Sequence, residues 1–213
     1  MSFLSFFKEK ISLKITQKLS QSIDRGIFFA YNRTMKTNLR QNKIRTLLKI
    51  LLPILCILWL AFIFSNSLQT SEASSTQSST VVDGIQSVAK VVAPDSWVAN
   101  ATGEEYDKLH TEVRISAHFL QFAVLGALLC WCYFAYTFRV AYIYLPICAV
   151  LLVPFIDECL QGFVAGRATE LSDILTDLTG GIFGFILAAL SVIIGVIVYK
   201  RKKKKNAPMY GLK

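Results

Sequence analysis

Three pairs of residues carry most of the chemical potential of this chain. They are Arg114 with His118, Asp157 with Gln161, and Asp173 with Asp177, each spaced by four. That spacing sets both members of a pair on one face of a helix. Glu158 stands beside Asp157, and Arg167 lies in the stretch GFVAGRATELS between the second and third pairs. Three chemistries follow from these types. Guanidinium groups bind phosphate or carboxylate in charge-assisted contacts. An imidazole beside an acid can move protons, which makes His118, Asp157, Glu158, Asp173 and Asp177 the catalytic candidates. Clustered carboxylates with one His can alternatively hold a divalent cation. Set against all three is a structural clasp. There Arg114 or Arg167 merely neutralises a carboxylate, and Ser172 and Asp173 cap a helix whose positive end suits acids. Glu170 reads as a solvated loop charge.

The elements that position these residues are long and apolar. The chain of 213 residues is 54% hydrophobic and 17% charged, and its apolar residues collect in blocks rather than at a surface-helix period. Four blocks stand out: LLKILLPILCILWLAFIF (47–64), ISAHFLQFAVLGALLCWCYFAYTF (115–138), VAYIYLPICAVLLVPFI (140–156) and LTGGIFGFILAALSVIIGVIVY (178–199). A spanning helix needs roughly 20 apolar residues. The third block is the shortest, so its helix is expected to continue to Gln161. The fold class is therefore an all-α integral membrane protein with four transmembrane helices, over about 47–64, 115–138, 140–161 and 174–199. All three pairs fall at one depth, near the same interface, where they could converge.

Charge sets the expected topology. Of 23 Lys and Arg, 11 precede residue 50 and 7 follow residue 199, whereas 65–113 holds only Lys90 and Lys108 against seven acids. Basic flanks stay on the cytoplasmic side. Both termini are expected inside, with 65–113 and the 157–177 cluster outside. Residues 1–46 are basic, with Phe3, Phe7, Ile11, Ile15, Leu19 and Ile23 every four positions. This predicts an amphipathic helix on the cytoplasmic leaflet, held by anionic lipid. Residues 47–199 form the membrane domain, and 200–213 a basic cytoplasmic tail. The first apolar block is read as an uncleaved anchor.

Between the first two spans, SNSLQTSEASSTQSST (65–80) reads as a solvated linker and VVDGIQSVAKVV (81–92) as a short helix. Thr102, with Glu105 three residues on, predicts a capped start for a helix continuing into the second span. The five cysteines, Cys56, Cys130, Cys132, Cys148 and Cys159, lie in or at the end of spans and read as small apolar filler. No zinc spacing, cofactor fingerprint or nucleic-acid motif accompanies the charge, so no cofactor, metal or nucleic acid is expected. Gly180, Gly181 and Gly184 read as packing residues that admit a close helix.

FSNS, RISAHFLQFAVLGALL and DECLQGFVAGRATELSDILTDLTGGIFG together resemble the VanZ-like membrane proteins over about 47–195. The resemblance places that family's pattern on Arg114, His118, Asp157, Glu158, Gln161, Gly166, Arg167, Asp173, Asp177 and Gly180. The chain departs from it twice: Arg114 stands where Lys is frequent, and Gln121 where a carboxylate is frequent. The resemblance implies a bacterial plasma-membrane protein and, through the best-known member, lowered susceptibility to the lipoglycopeptide teicoplanin. Two functions are expected on this basis. One is a binding or envelope-modulating protein whose outer cluster takes a lipid headgroup, lipid-linked precursor or lipoglycopeptide. The other is a membrane-embedded enzyme acting on a lipid-linked substrate. The first is preferred, because no nucleophile elbow or set of His ligands appears. A transporter is a third reading, and four spans leave room for an oligomer.

Overall fold

The computed structural model describes residues 39–205. The expected amphipathic helix of the N-terminal segment falls outside these residues, except for 39–46. Six α-helices follow in order: α1 (Leu39–Ser67), α2 (Ser71–Val92), α3 (Trp97–Asn100), α4 (Glu104–Tyr136), α5 (Tyr144–Gly162) and α6 (Leu171–Lys205). A 3₁₀ turn at Val140–Tyr142 joins α4 to α5. Among the described residues there is no strand. Among the described residues, four helices are long and apolar enough to cross a membrane: Lys43–Ser67, Glu104–Tyr136, Tyr144–Gly162 and Leu171–Lys202. A helix satisfies its own backbone groups, which a bilayer interior requires. The chain is thus a multi-pass membrane protein. Its outward side chains are apolar; Ile57, Leu152 and Ile194 are each more than half exposed.

The spans differ from expectation at their ends. α1 starts at Leu39 rather than 47, and α6 starts at Leu171 and runs on through the first basic residues of the tail. α5 begins at Tyr144, because residues 140–142 wind as the 3₁₀ turn; it reaches Gly162, as its extension past the apolar block requires.

The clearest correction concerns 65–80, read from sequence as a solvated linker. Most of it is the first half of α2. Thr70 caps the helix, its hydroxyl accepting from the Ala73 amide at 3.3 Å. Thr76, Ser78, Ser79 and Thr80 then fold their hydroxyls onto the carbonyls four residues back, at 2.9–3.1 Å. These bonds satisfy the hydroxyls inside the helix but add no stability to it, so the cap and the packing of α2 must hold it. The apolar half of α2 supplies the packing, burying Val82 against Ala101 and Leu109. The expected Thr102 cap is also corrected. Gly103 is the N-cap of α4, at a φ of 57° and with no side-chain bond, while the Thr102 carbonyl accepts from Glu105 N at 3.2 Å. The continuous run of that helix into the second span holds.

At 33 residues, α4 is about 50 Å long, which exceeds the roughly 30 Å hydrocarbon layer. Its first turns therefore stand beyond the apolar layer, and α2 packs on them. Gln86 of α2 clasps the intervening loop by donating to the Val98 and Ala101 carbonyls at 3.2 and 2.9 Å. Within the bundle, Ile63, Phe122, Leu125 and Val153 form a core joining α1, α4 and α5. Trp59 Nε1 donates to the Gln121 carbonyl at 2.9 Å across α1 and α4.

The tightest junction is α4 with α6, which run parallel. A Cβ on Gly180 would strike the Phe119 carbonyl oxygen, and one on Gly184 the Ala123 carbonyl oxygen. Gly126 of α4 faces the Gly181 carbonyl in the same way. Small residues are what let two membrane helices approach to backbone contact. The packing role expected of the α6 glycines is met, with Gly126 added from the partner helix. All five cysteines are free thiols, and Cys56 and Cys130 are buried.

Candidate functional site

Parallel helices in backbone contact keep one register over several turns. Here that register turns two four-residue spacings into a ladder. Arg114 Nη2 lies 3.9 Å from Asp173 Oδ2, and one turn deeper His118 Nδ1 lies 3.3 Å from Asp177 Oδ1. The upper rung is open to solvent, with Arg114 46% exposed. The lower is not: Asp177 is 1% exposed. A screened pair such as the upper one contributes little to stability. The lower pair helps specify how α4 and α6 fit, because the buried Asp177 carboxylate has no water to replace His118.

The second pair comes from α5. Asp157 is 1% exposed, and both of its carboxylate oxygens are engaged. Gln161 Nε2 donates to Oδ2 at 3.0 Å. The Ser67 hydroxyl, at the last residue of α1, makes a short hydrogen bond to Oδ1. Ser67 also contacts the Ile63 carbonyl at 3.0 Å and is buried. Sequence reasoning missed Ser67 as a site residue. Its signal is a small hydroxyl closing an apolar span at the depth of the acids. α1, α4, α5 and α6 thus all deliver a polar side chain to one end of the bundle.

Glu158 faces elsewhere. Its Oε1 accepts from the backbone amide of Glu170, which pins the 163–170 loop to α5. Its Oε2 is buried with no hydrogen-bond partner among the described residues. Glu170 itself is exposed, and its carboxylate receives the Ser172 hydroxyl at 3.2 Å. The pinned loop turns at Gly166, whose φ of 80° favours glycine. The next residue, Arg167, is thereby sent back over the cluster. Burial lowers the pKa of Arg167 from its ordinary value, and the like charge of Arg114 lowers it further. Arg167 makes no ion pair among the described residues, and its Nε is buried without a partner.

Beside the cluster is a cleft of about 330 Å³. Arg114, His118, Asp157 and Arg167 reach its wall, whereas Glu158, Gln161, Asp173 and Asp177 stand behind it. Ser67, Asn66 and Gln121 add neutral polar groups, and Ser74, Gln77 and Ser78 of α2 form a hydroxyl- and amide-bearing rim. The rest of the lining is mostly apolar: Trp59, Phe62, Val81, Val113, Leu120 and Val124, on the same helices as the polar groups. The cleft therefore carries charged and apolar side chains together, and the apolar ones Leu120 and Val124 lie further along α4 than Arg114 and His118. Among the described residues, no three His, Cys, Asp or Glu side chains come close enough to hold a metal ion.

The sequence matches the VanZ/LLP1 family over residues 52–198, most of its length and every span. The chain belongs to the VanZ/LLP1 family. The match takes in the whole polar cluster, from Ser67 to Asp177, and the cleft beside it. Neither a curated protein nor a solved structure matches the chain. The family assignment fits the geometry: the residues in which the chain resembles VanZ-like proteins sit on four different helices, yet meet at one end of the bundle.

Proposed function

We propose that this VanZ/LLP1 protein sits in the bacterial plasma membrane with both termini inside and its polar cluster at the outer face. There it binds or modulates a cell-envelope amphiphile: a lipid, a lipid-linked precursor or a lipoglycopeptide of the teicoplanin type. The observation that carries this reading is a cleft lined by both charged and apolar side chains. A purely structural clasp needs no cavity, and a site for a soluble ion needs no apolar wall. An amphiphile needs both. The orientation rests on the concentration of Lys and Arg at the two ends of the chain.

The test expresses wild type, Asp173→Asn and Arg167→Ala at matched membrane levels in a susceptible Gram-positive host. Teicoplanin and vancomycin susceptibility are then measured side by side. Protection by wild type against teicoplanin alone, lost in both variants, supports the reading. Variants that protect as well as wild type reduce the cluster to a clasp.

A second reading draws on one feature, His118 at the cleft wall with the buried Asp177 carboxylate on its Nδ1 side. A buried acid that orients an imidazole is the arrangement general acid–base catalysis uses. Under this reading the protein turns over a lipid-linked substrate. Its test is hydrolysis or transfer of a labelled precursor that His118→Gln abolishes. Absence of turnover across such precursors removes it.

A further inference from the structure

The donors and acceptors of the cleft do not balance. Asp157, the one carboxylate on its wall, has a protein donor on each oxygen. Asp173 and Asp177 are turned to Arg114 and His118, and Glu158 holds a backbone amide. The buried cleft-wall atoms that lack partners are Arg167 Nε and Gln121 Nε2, and both are donors. Arg114 meets its acid only at 3.9 Å and through one nitrogen, while a guanidinium offers five N–H groups. Arg114 repels Arg167, while Asp157, Asp173 and Glu158 attract it without forming an ion pair with it. The two cleft-wall guanidiniums thus lack a close acceptor: Arg167 has no ion pair among the described residues, Arg114 has one oxygen at 3.9 Å, and the nearby acids Asp157, Asp173 and Glu158 each hold another partner.

The apolar lining says where the rest of the ligand lies. Phe62, Leu120 and Val124 line the cleft and are 45%, 61% and 40% exposed, so that wall is open at the flank of α1 and α4 rather than closed into the core. Leu120 and Val124 lie further along α4 into the apolar layer than Arg114 and His118. A ligand can keep its chain among lipids and slide its head sideways into the cleft.

We infer that the cleft takes a phosphate- or pyrophosphate-bearing lipid, with the phosphate between Arg114 and Arg167 and against Gln121. The chain leaves past Phe62, Leu120 and Val124. Ser74, Gln77 and Ser78 of α2 face whatever hydroxyl-rich group the phosphate carries. This inference rests on the proposed function and narrows its ligand class. Planar guanidiniums suit phosphate because two parallel N–H groups match two phosphate oxygens.

The test uses the full-length protein in phosphatidylcholine nanodiscs, with empty discs subtracted. The probes are radiolabelled decyl phosphate, decanol, inorganic phosphate and decyl glucoside. Decyl phosphate is expected to bind saturably at one per chain. Decanol and inorganic phosphate are each expected to bind at least about tenfold more weakly, since each lacks half of the match. Arg167→Gln and, on a different element, Arg114→Gln should each weaken decyl phosphate by about tenfold or more, while Arg167→Lys keeps part of the affinity. Inorganic phosphate binding as tightly as decyl phosphate overturns the lipid assignment in favour of a free anion. Decyl glucoside or decanol binding as tightly as decyl phosphate, with the arginine variants unaffected, overturns the phosphate assignment but leaves an amphiphile site. No saturable binding of any amphiphile overturns this inference and the proposed function together.

Discussion

Gly184→Ala is the sharpest test of how α4 and α6 are held. The added Cβ would fall on the Ala123 carbonyl oxygen, with the Ala123 Cα at 2.7 Å from it. These are backbone atoms, so no side chain can swing aside; the helices must part. Overpacking of this kind costs about 1–3 kcal/mol. At about 2–4 °C per kcal/mol for a domain of this size, the melting temperature should fall by about 2–12 °C. Gly195→Ala is the matched control. It lies on the same helix with nothing within 4 Å of a Cβ, so it gains only helix propensity, up to about 1 kcal/mol. Thermal unfolding of both variants in one detergent, followed by intrinsic fluorescence, makes the comparison. The reasoning predicts a clear loss for Gly184→Ala and no loss for Gly195→Ala. Two variants that melt together would refute the backbone-contact argument, and with it the register that aligns Arg114 with Asp173 and His118 with Asp177.

Other outcomes follow from single contacts. Ser67→Ala leaves one oxygen of buried Asp157 without its donor and should cost about 1–3 kcal/mol in the same unfolding assay. Thr70→Ala removes the cap of α2 at a cost of about 0.5–2 kcal/mol, and should raise amide exchange in its first turn while leaving α4 protected. With the five native cysteines replaced by alanine, Lys90→Cys, on α2, should react with a membrane-impermeant maleimide on intact cells, whereas Lys213→Cys should react only after permeabilisation; the opposite pattern reverses the proposed orientation. Glu158→Gln should loosen the 163–170 loop, seen as faster exchange at the Glu170 amide, because the carboxylate oxygen that accepts from it loses its charge.

The spans were legible because bilayer solvation writes itself into sequence as uncharged blocks of the right length. The three four-residue pairs were legible as helix-face spacings, but which residue meets which was not, because that depends on the register in which the glycines seat α4 against α6. What else the sequence hid was of two kinds. The Ser- and Thr-rich start of α2 has no apolar period, so its helicity depends on the Thr70 cap and on the packing of α2, while its hydroxyls bond to carbonyls four residues back. Those are three-dimensional satisfactions that composition reads as solvent contact. Ser67 was hidden because its importance comes from Asp157, ninety residues away. The separation of Arg167, in the cleft, from Glu158, which pins the loop beneath it, also depends on a loop turning at Gly166. No spacing rule reports that turn.

An amphiphile held at the polar end of the bundle should travel with the protein out of the membrane. The most direct measurement is native mass spectrometry of the full-length protein released from its own membranes in mild detergent, comparing wild type with Arg167→Ala at equal melting temperature. The account predicts a stoichiometric amphiphile adduct on wild type, enriched over its share of the bulk lipid extract, and its loss from the variant. Adducts in bulk proportion on both proteins would contradict it, and would leave the cluster as the clasp that fastens four membrane helices at one end.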